Sequence, residues 1–183
     1  MRLKRRFMAC SLLAIMICLI CQTTIAYFTD QATARNEITT GGIQIALTGM
    51  DGAETVTMMP GSVVEKAVAV QNKRSDAYVR VKCTITVEDA QAQPMELTAE
   101  ELAALISLNF DSENWTEKDG WWYCNAPLAT GETSKPLFTQ MTFSTDMGNE
   151  FQSCTVTMDV QAQATQVANN GTDVFTAAGW PAE

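Results

Sequence analysis

The chain contains no histidine. That absence removes the commonest general base, the commonest zinc ligand and every Ser–His or Cys–His nucleophile pair. No HExxH helix is possible, no CxxC occurs beyond Cys18-Leu-Ile-Cys21, and no glycine-rich phosphate loop is present. Asp and Glu pairs could do acid–base work in principle, yet none is set apart by its neighbours. The sequence therefore names no catalytic residue, no metal ligand and no cofactor, and the expectation is a protein that is not an enzyme. Basic charge is scarce as well. Twelve Lys and Arg stand against 21 Asp and Glu, and four of the twelve lie in the first six residues. The remaining eight leave a net charge of −13. Nucleic acid and anionic lipid both need a positive field, so neither is expected as the main partner.

One long apolar run is present, residues 7–21. Arg2, Lys4, Arg5 and Arg6 precede it, and a short polar stretch leads on to Ile25 and Ala26. Basic head, apolar middle and small-residue exit are the layout of a secretory signal peptide. The run is about 15 residues, short of the roughly 20 a spanning helix needs, and no stop-transfer flank follows Ala26. Thr24 and Ala26 suit the −3 and −1 positions of a cut, which places the new N-terminus at Tyr27. A lipoprotein reading of Cys21 is disfavoured by Ile20 before it. Contact with the membrane is expected during export only.

Three of the six cysteines, Cys10, Cys18 and Cys21, leave with such a signal. Cys83, Cys124 and Cys154 remain, an odd number that permits at most one internal bridge. Most of the remaining chain, about 157 residues, reads with a period of two. In 78–88, Val79, Val81, Cys83, Ile85 and Val87 alternate with Tyr78, Arg80, Lys82, Thr84, Thr86 and Glu88. This is the pattern of a half-buried antiparallel strand. Residues 153–163 repeat it, with Cys154, Val156, Met158, Val160 and Ala162 on the apolar side. Ile43, Ile45 and Leu47 mark a third strand, Val64, Val68 and Val70 a fourth, and Leu137, Met141 and Phe143 a fifth. Asp119-Gly120 between Trp115 and Trp121 reads as a tight hairpin. Thr98 and Glu101 form a capping box before Leu102, which predicts one short helix.

Short strands with almost no helix imply an all-β, antiparallel β-sandwich of jelly-roll or immunoglobulin-like type, preceded by the signal helix. The predicted division is a signal at 1–26, an extended segment at 27–40, a sandwich domain at 41–166 and a C-terminal tail at 167–183. Cys83 and Cys154 both fall on apolar strand faces, so a core disulfide between them is one expectation and Cys83–Cys124 its rival. Trp121 and Trp122 are adjacent in a strand and must point to opposite sides. At least one of the two rings is therefore expected to cover an edge or meet a partner.

Several segments resemble one family. The junction Thr24-Ile-Ala-Tyr-Phe-Thr-Asp30, then Ala34-Arg-Asn36 and Thr40-Gly-Gly-Ile-Gln-Ile45, is similar to the camelysin/TasA family of matrix proteins exported by Gram-positive bacteria. Met59-Pro-Gly61 before 64–72, and Ala77-Tyr-Val-Arg-Val81, resemble its second and third core strands. Gly120-Trp-Trp-Tyr123, Leu128-Ala-Thr-Gly-Glu-Thr133 and Pro136-Leu-Phe138 resemble a hairpin and connector of its clostridial branch. The resemblance implies processing by a SipW-type signal peptidase, a jelly-roll fold, and a secreted subunit or accessory of a biofilm-matrix fibre. It also implies assembly by donor-strand exchange, with itself or with other matrix proteins. Residues 27–40 would then be the donated strand, with Phe28 and Ile38 filling pockets in the acceptor. In an isolated monomer that segment is expected to fray. Two other readings compete: a monomeric surface module that binds through the 115–123 hairpin, and a camelysin-like metallopeptidase, which the missing histidines disfavour.

Overall fold

The computed structural model describes residues 29–33, 43–49 and 54–181. The expected signal helix at 1–26, the cut between Ala26 and Tyr27, and both Phe28 and Ile38 lie outside the described residues. Among the described residues the chain forms β1 (Thr29–Thr33), β2 (Ile45–Thr48), β3 (Glu54–Thr57), β4 (Val63–Asn72), β5 (Ala77–Glu88), α1 (Ala99–Leu105), β6 (Ile106–Leu108), β7 (Trp115–Lys118), β8 (Trp121–Cys124), β9 (Phe138–Phe143), a 3-10 turn (Asn149–Phe151) and β10 (Thr155–Gln166). They make two antiparallel sheets. One runs β1-β10-β5-β8-β7, with β3 also on β10; the other runs β2-β4-β9-β6. The expected β-sandwich is what forms.

The two alternating runs are its centre. β5 and β10 pair over their whole length, from Thr155 opposite Glu88 to Gln166 opposite Ala77. Val79, Val81, Val156, Val160, Ala162 and Ala164 point inward and are fully buried. Ile45, Val68, Val70, Phe138, Met141 and Phe143 meet them from the second sheet in one core. Each large aliphatic or aromatic side chain so buried stabilises the fold by roughly 1.5–3 kcal/mol. The capping box also forms, with the Glu101 N–H donating to Thr98 Oγ1 at 3.2 Å and the Thr98 N–H to Glu101 Oε2 at 2.8 Å. The helix stops at Leu105 because Ile106 turns extended to start β6. In the hairpin, Asp119 and Gly120 both take positive φ, as a two-residue turn demands.

Two expectations are corrected. Cys83, Cys124 and Cys154 are free thiols. Cys83 lies opposite Val160, six residues along β10 from Cys154, or about 20 Å at 3.3 Å per residue. The β5–β8 register likewise sets Cys124 four residues, or about 13 Å, away from Cys83. A disulfide needs Cα atoms within roughly 4.4–6.8 Å. Sharing a face was not enough. The second correction concerns the polar side of β5. Tyr78 and Arg80 are 2 % and 9 % exposed, because residues 167–180 fold back over that face.

Gly49 makes one tight passage. It follows β2 with φ +90°, and a Cβ there would lie 1.7 Å from the Ala67 carbonyl oxygen. Ala67 falls where the β4–β9 register shifts, between Glu65 and Val68. Gly49→Ala should therefore lower the unfolding free energy by about 2–4 kcal/mol in urea denaturation, from strain and clash together.

Candidate functional site

β10 has two neighbours on its outer side rather than one. β3 covers its start, with Thr155 to Met158 opposite Thr57 to Glu54. β1 covers its end, with Thr29 opposite Thr165, Gln31 opposite Gln163 and Thr33 opposite Gln161. So the segment expected to fray in a monomer is, at Thr29–Thr33, a strand on its own domain. It also lies beside β2 and so sits at the seam between the sheets. Its sequence, Thr-Asp-Gln-Ala-Thr, holds no large apolar residue. Backbone hydrogen bonds to an otherwise open edge hold such a strand, and those bonds do not depend on which chain supplies it.

The outer face beneath is built around a buried cation. Arg80 Nε and Nη2 donate to Gln163 Oε1 at 2.9 and 2.7 Å, and Nη1 donates to the Tyr123 hydroxyl at 3.0 Å. The guanidinium carbon lies 4.2 Å from the Trp121 ring centroid and 4.8 Å from that of Trp180. No carboxylate pairs with it among the described residues. Amide oxygen, phenol and ring faces stabilise the charge instead.

The strap that closes this face is tied at its base. Asn170 Nδ2 donates to the Gln166 carbonyl at 2.6 Å, and the Ala178 N–H donates to Asn170 Oδ1 at 3.0 Å. The Tyr78 hydroxyl donates to the Gly171 carbonyl at 3.0 Å. Trp121 is thus 2 % exposed, under Arg80 and the strap. Trp122 turns to the main core and stacks on Phe110 with centroids 4.2 Å apart. The two rings do point to opposite sides, and both are engaged inside the domain, so neither is a free platform. The Arg80 cluster was not foreseen. Its trace in the sequence was an aromatic side chain, Tyr78, on a face read as polar.

Residues 2–121 match the family described as camelysin metallo-endopeptidase. The chain belongs to the camelysin family. No curated protein and no solved structure matches it. The camelysin family is generally extracellular or surface-associated, and membership points at the family level to a secreted, matrix-type protein. The family's name implies a metal, and the described residues offer no site that fits one. Histidine is absent from the sequence, and no three Cys, Asp or Glu come together among the described residues. A cleft of about 430 Å³ beside Met58, Met59, Met147 and Phe151 has no ionisable side chain in its lining.

The thiols of this camelysin-family chain are similarly quiet. Burial, with the Asp159 charge adding to it, pushes Cys83 from 9.0 up to about 12. Burial also raises Cys124 and Cys154. Cys83 should therefore resist iodoacetamide at pH 8.5 until denaturant is added, as peptide mass mapping would show. A thiol harder to ionise when folded favours the native state fully below about pH 9, and that share is lost as pH rises from 9 towards 12.

Proposed function

We propose that the processed chain is a structural protein, a subunit or accessory of an extracellular or biofilm-matrix fibre assembled by donor-strand exchange, and not an enzyme. A SipW-type signal peptidase would release it at Tyr27. Residues 27–40 of one subunit would then leave their own domain and pair with β10 of the next, a copy of the chain or another matrix protein. The observation that carries this reading is the polar five-residue β1, laid by its backbone on the edge of β10. Exchange replaces each strand bond by the same bond to a neighbour, so it costs little, and a head-to-tail contact that does not close grows into a filament. The side chains at Phe28 and Ile38 would favour the exchanged form by filling apolar pockets there.

Negative-stain microscopy of the purified chain beginning at Tyr27, with and without residues 27–40, tests the reading. Filaments are expected from the longer form and none from the shorter. Equal filaments from both would place the donated segment elsewhere, and chelator-sensitive casein cleavage by the pure protein would restore the peptidase reading.

A further inference from the structure

Asn170-Gly171 is the one Asn-Gly step in the sequence, and it lies in the strap over the Arg80 face. The Asn170 side chain is buried and clasps that strap. Besides its bonds to the Gln166 carbonyl and the Ala178 N–H, its Nδ2 donates to the Ala178 carbonyl at 3.2 Å and to Thr165 Oγ1 at 3.3 Å. One carboxamide thus pins the start of the strap to its far end. Gly171 stands at φ +72° with nothing within 4 Å of where a Cβ would lie, so no side chain shields its nitrogen. A carboxamide carbon followed by an unshielded backbone nitrogen is an electrophile beside its own nucleophile.

We propose that Asn170 is a site of spontaneous modification, protected while the strap is closed, and that its conversion to an acid releases the strap for good. The Gly171 nitrogen gives its proton to hydroxide and attacks Asn170 Cγ. The N–Cγ bond forms, the Cγ–Nδ2 bond breaks, and Nδ2 leaves as ammonia with a proton from water. Water then opens the cyclic imide at either carbonyl, giving an aspartyl or an isoaspartyl linkage, so water is the only reactant consumed. In the closed strap four hydrogen bonds hold the carboxamide towards Gln166 and Ala178, and the step runs from the locally open form. Closing again is then unfavourable. The acid has lost both N–H donors, and its charge would be buried against the Gln166 and Ala178 carbonyl oxygens. The isoaspartyl product also lengthens the main chain by one carbon at the clasp. Release uncovers Arg80 and the Trp121 and Tyr123 rings, a cationic and aromatic face on an acidic chain. None of this depends on strand exchange.

The purified chain beginning at Tyr27, incubated at mildly alkaline pH and followed by peptide mass mapping, tests this. Asn170 should convert in the native chain, at least about tenfold more slowly than in the chain unfolded by urea. Trp180→Ala removes a ring from Arg80, loosens the strap and should speed the native conversion about three- to tenfold. Modified and unmodified chains, separated by ion exchange, should differ in amide hydrogen exchange. Protection at 167–180 should fall about tenfold in the modified form while that of β5 and β10 holds. Asn170→Asp should show the same loss without incubation. Absence of conversion in the native chain over several weeks, a native rate equal to that in urea, no acceleration by Trp180→Ala, or equal protection of 167–180 in the two forms overturns the proposal. A loss that spreads through β5 and β10 also overturns it, since Asn170 would then support the whole fold instead of clasping the strap.

Discussion

Arg80→Ala should lower the unfolding free energy by about 3–5 kcal/mol, measured by urea denaturation with tryptophan fluorescence. The substitution strands Gln163 Oε1 and the Tyr123 hydroxyl, which together receive three bonds from the guanidinium. Each buried group left unpaired costs about 1–3 kcal/mol. It also removes the cation between the Trp121 and Trp180 rings, each contact contributing about 0.5–2 kcal/mol. Arg80→Lys keeps the charge but cannot present the planar fork that reaches Gln163 and Tyr123 together, so it should recover about half the loss. A change below about 1 kcal/mol for Arg80→Ala would mean that the strap and its cation do not hold the outer face.

Phe28→Asp combined with Ile38→Asp should abolish filament formation while shifting the monomer's unfolding midpoint little. The expectation follows from chemistry alone, since both residues lie outside the described part of the chain. A carboxylate in an apolar acceptor pocket must be desolvated without a partner, which costs several kcal/mol per site. The described core, by contrast, runs from Ile43 to Ala164, and the domain is expected to keep it. Sedimentation of the double variant under conditions that pellet the parent checks this. Equal pelleting would remove Phe28 and Ile38 from the assembly contact.

The alternation in β5 and β10 was legible because a strand with one buried face repeats every second residue, and it gave both the fold class and the core face correctly. The capping box at Thr98 and the hairpin at Asp119-Gly120 were legible because their chemistry is local. Three features were not. Facing tells nothing of position along a strand, so Cys83 and Cys154 looked like neighbours when the register sets them six residues apart. Polar faces are read as solvent-exposed, yet the cover over Arg80 comes from residues 167–180, which carry no periodic signal of their own. The segment that holds β1 was expected to fray in a monomer because it carries few apolar residues. Its place comes from the unfilled edge of β10, a property of a strand about 130 residues away.

Disulfide trapping between two differently marked subunits tests the strand-exchange account most directly. Ala32 and Ala162 are cross-strand partners, and directly opposed strand residues have Cα atoms about 4.5–5.5 Å apart, within disulfide range. One preparation would carry Ala32→Cys and the other Ala162→Cys; the two are mixed, allowed to assemble and then oxidised. A disulfide joining the two marked chains is the result the account predicts. If a single chain bearing both cysteines closes internally while assembled mixtures give no joined chains, β1 stays on its own domain and strand exchange is not how this protein builds a fibre.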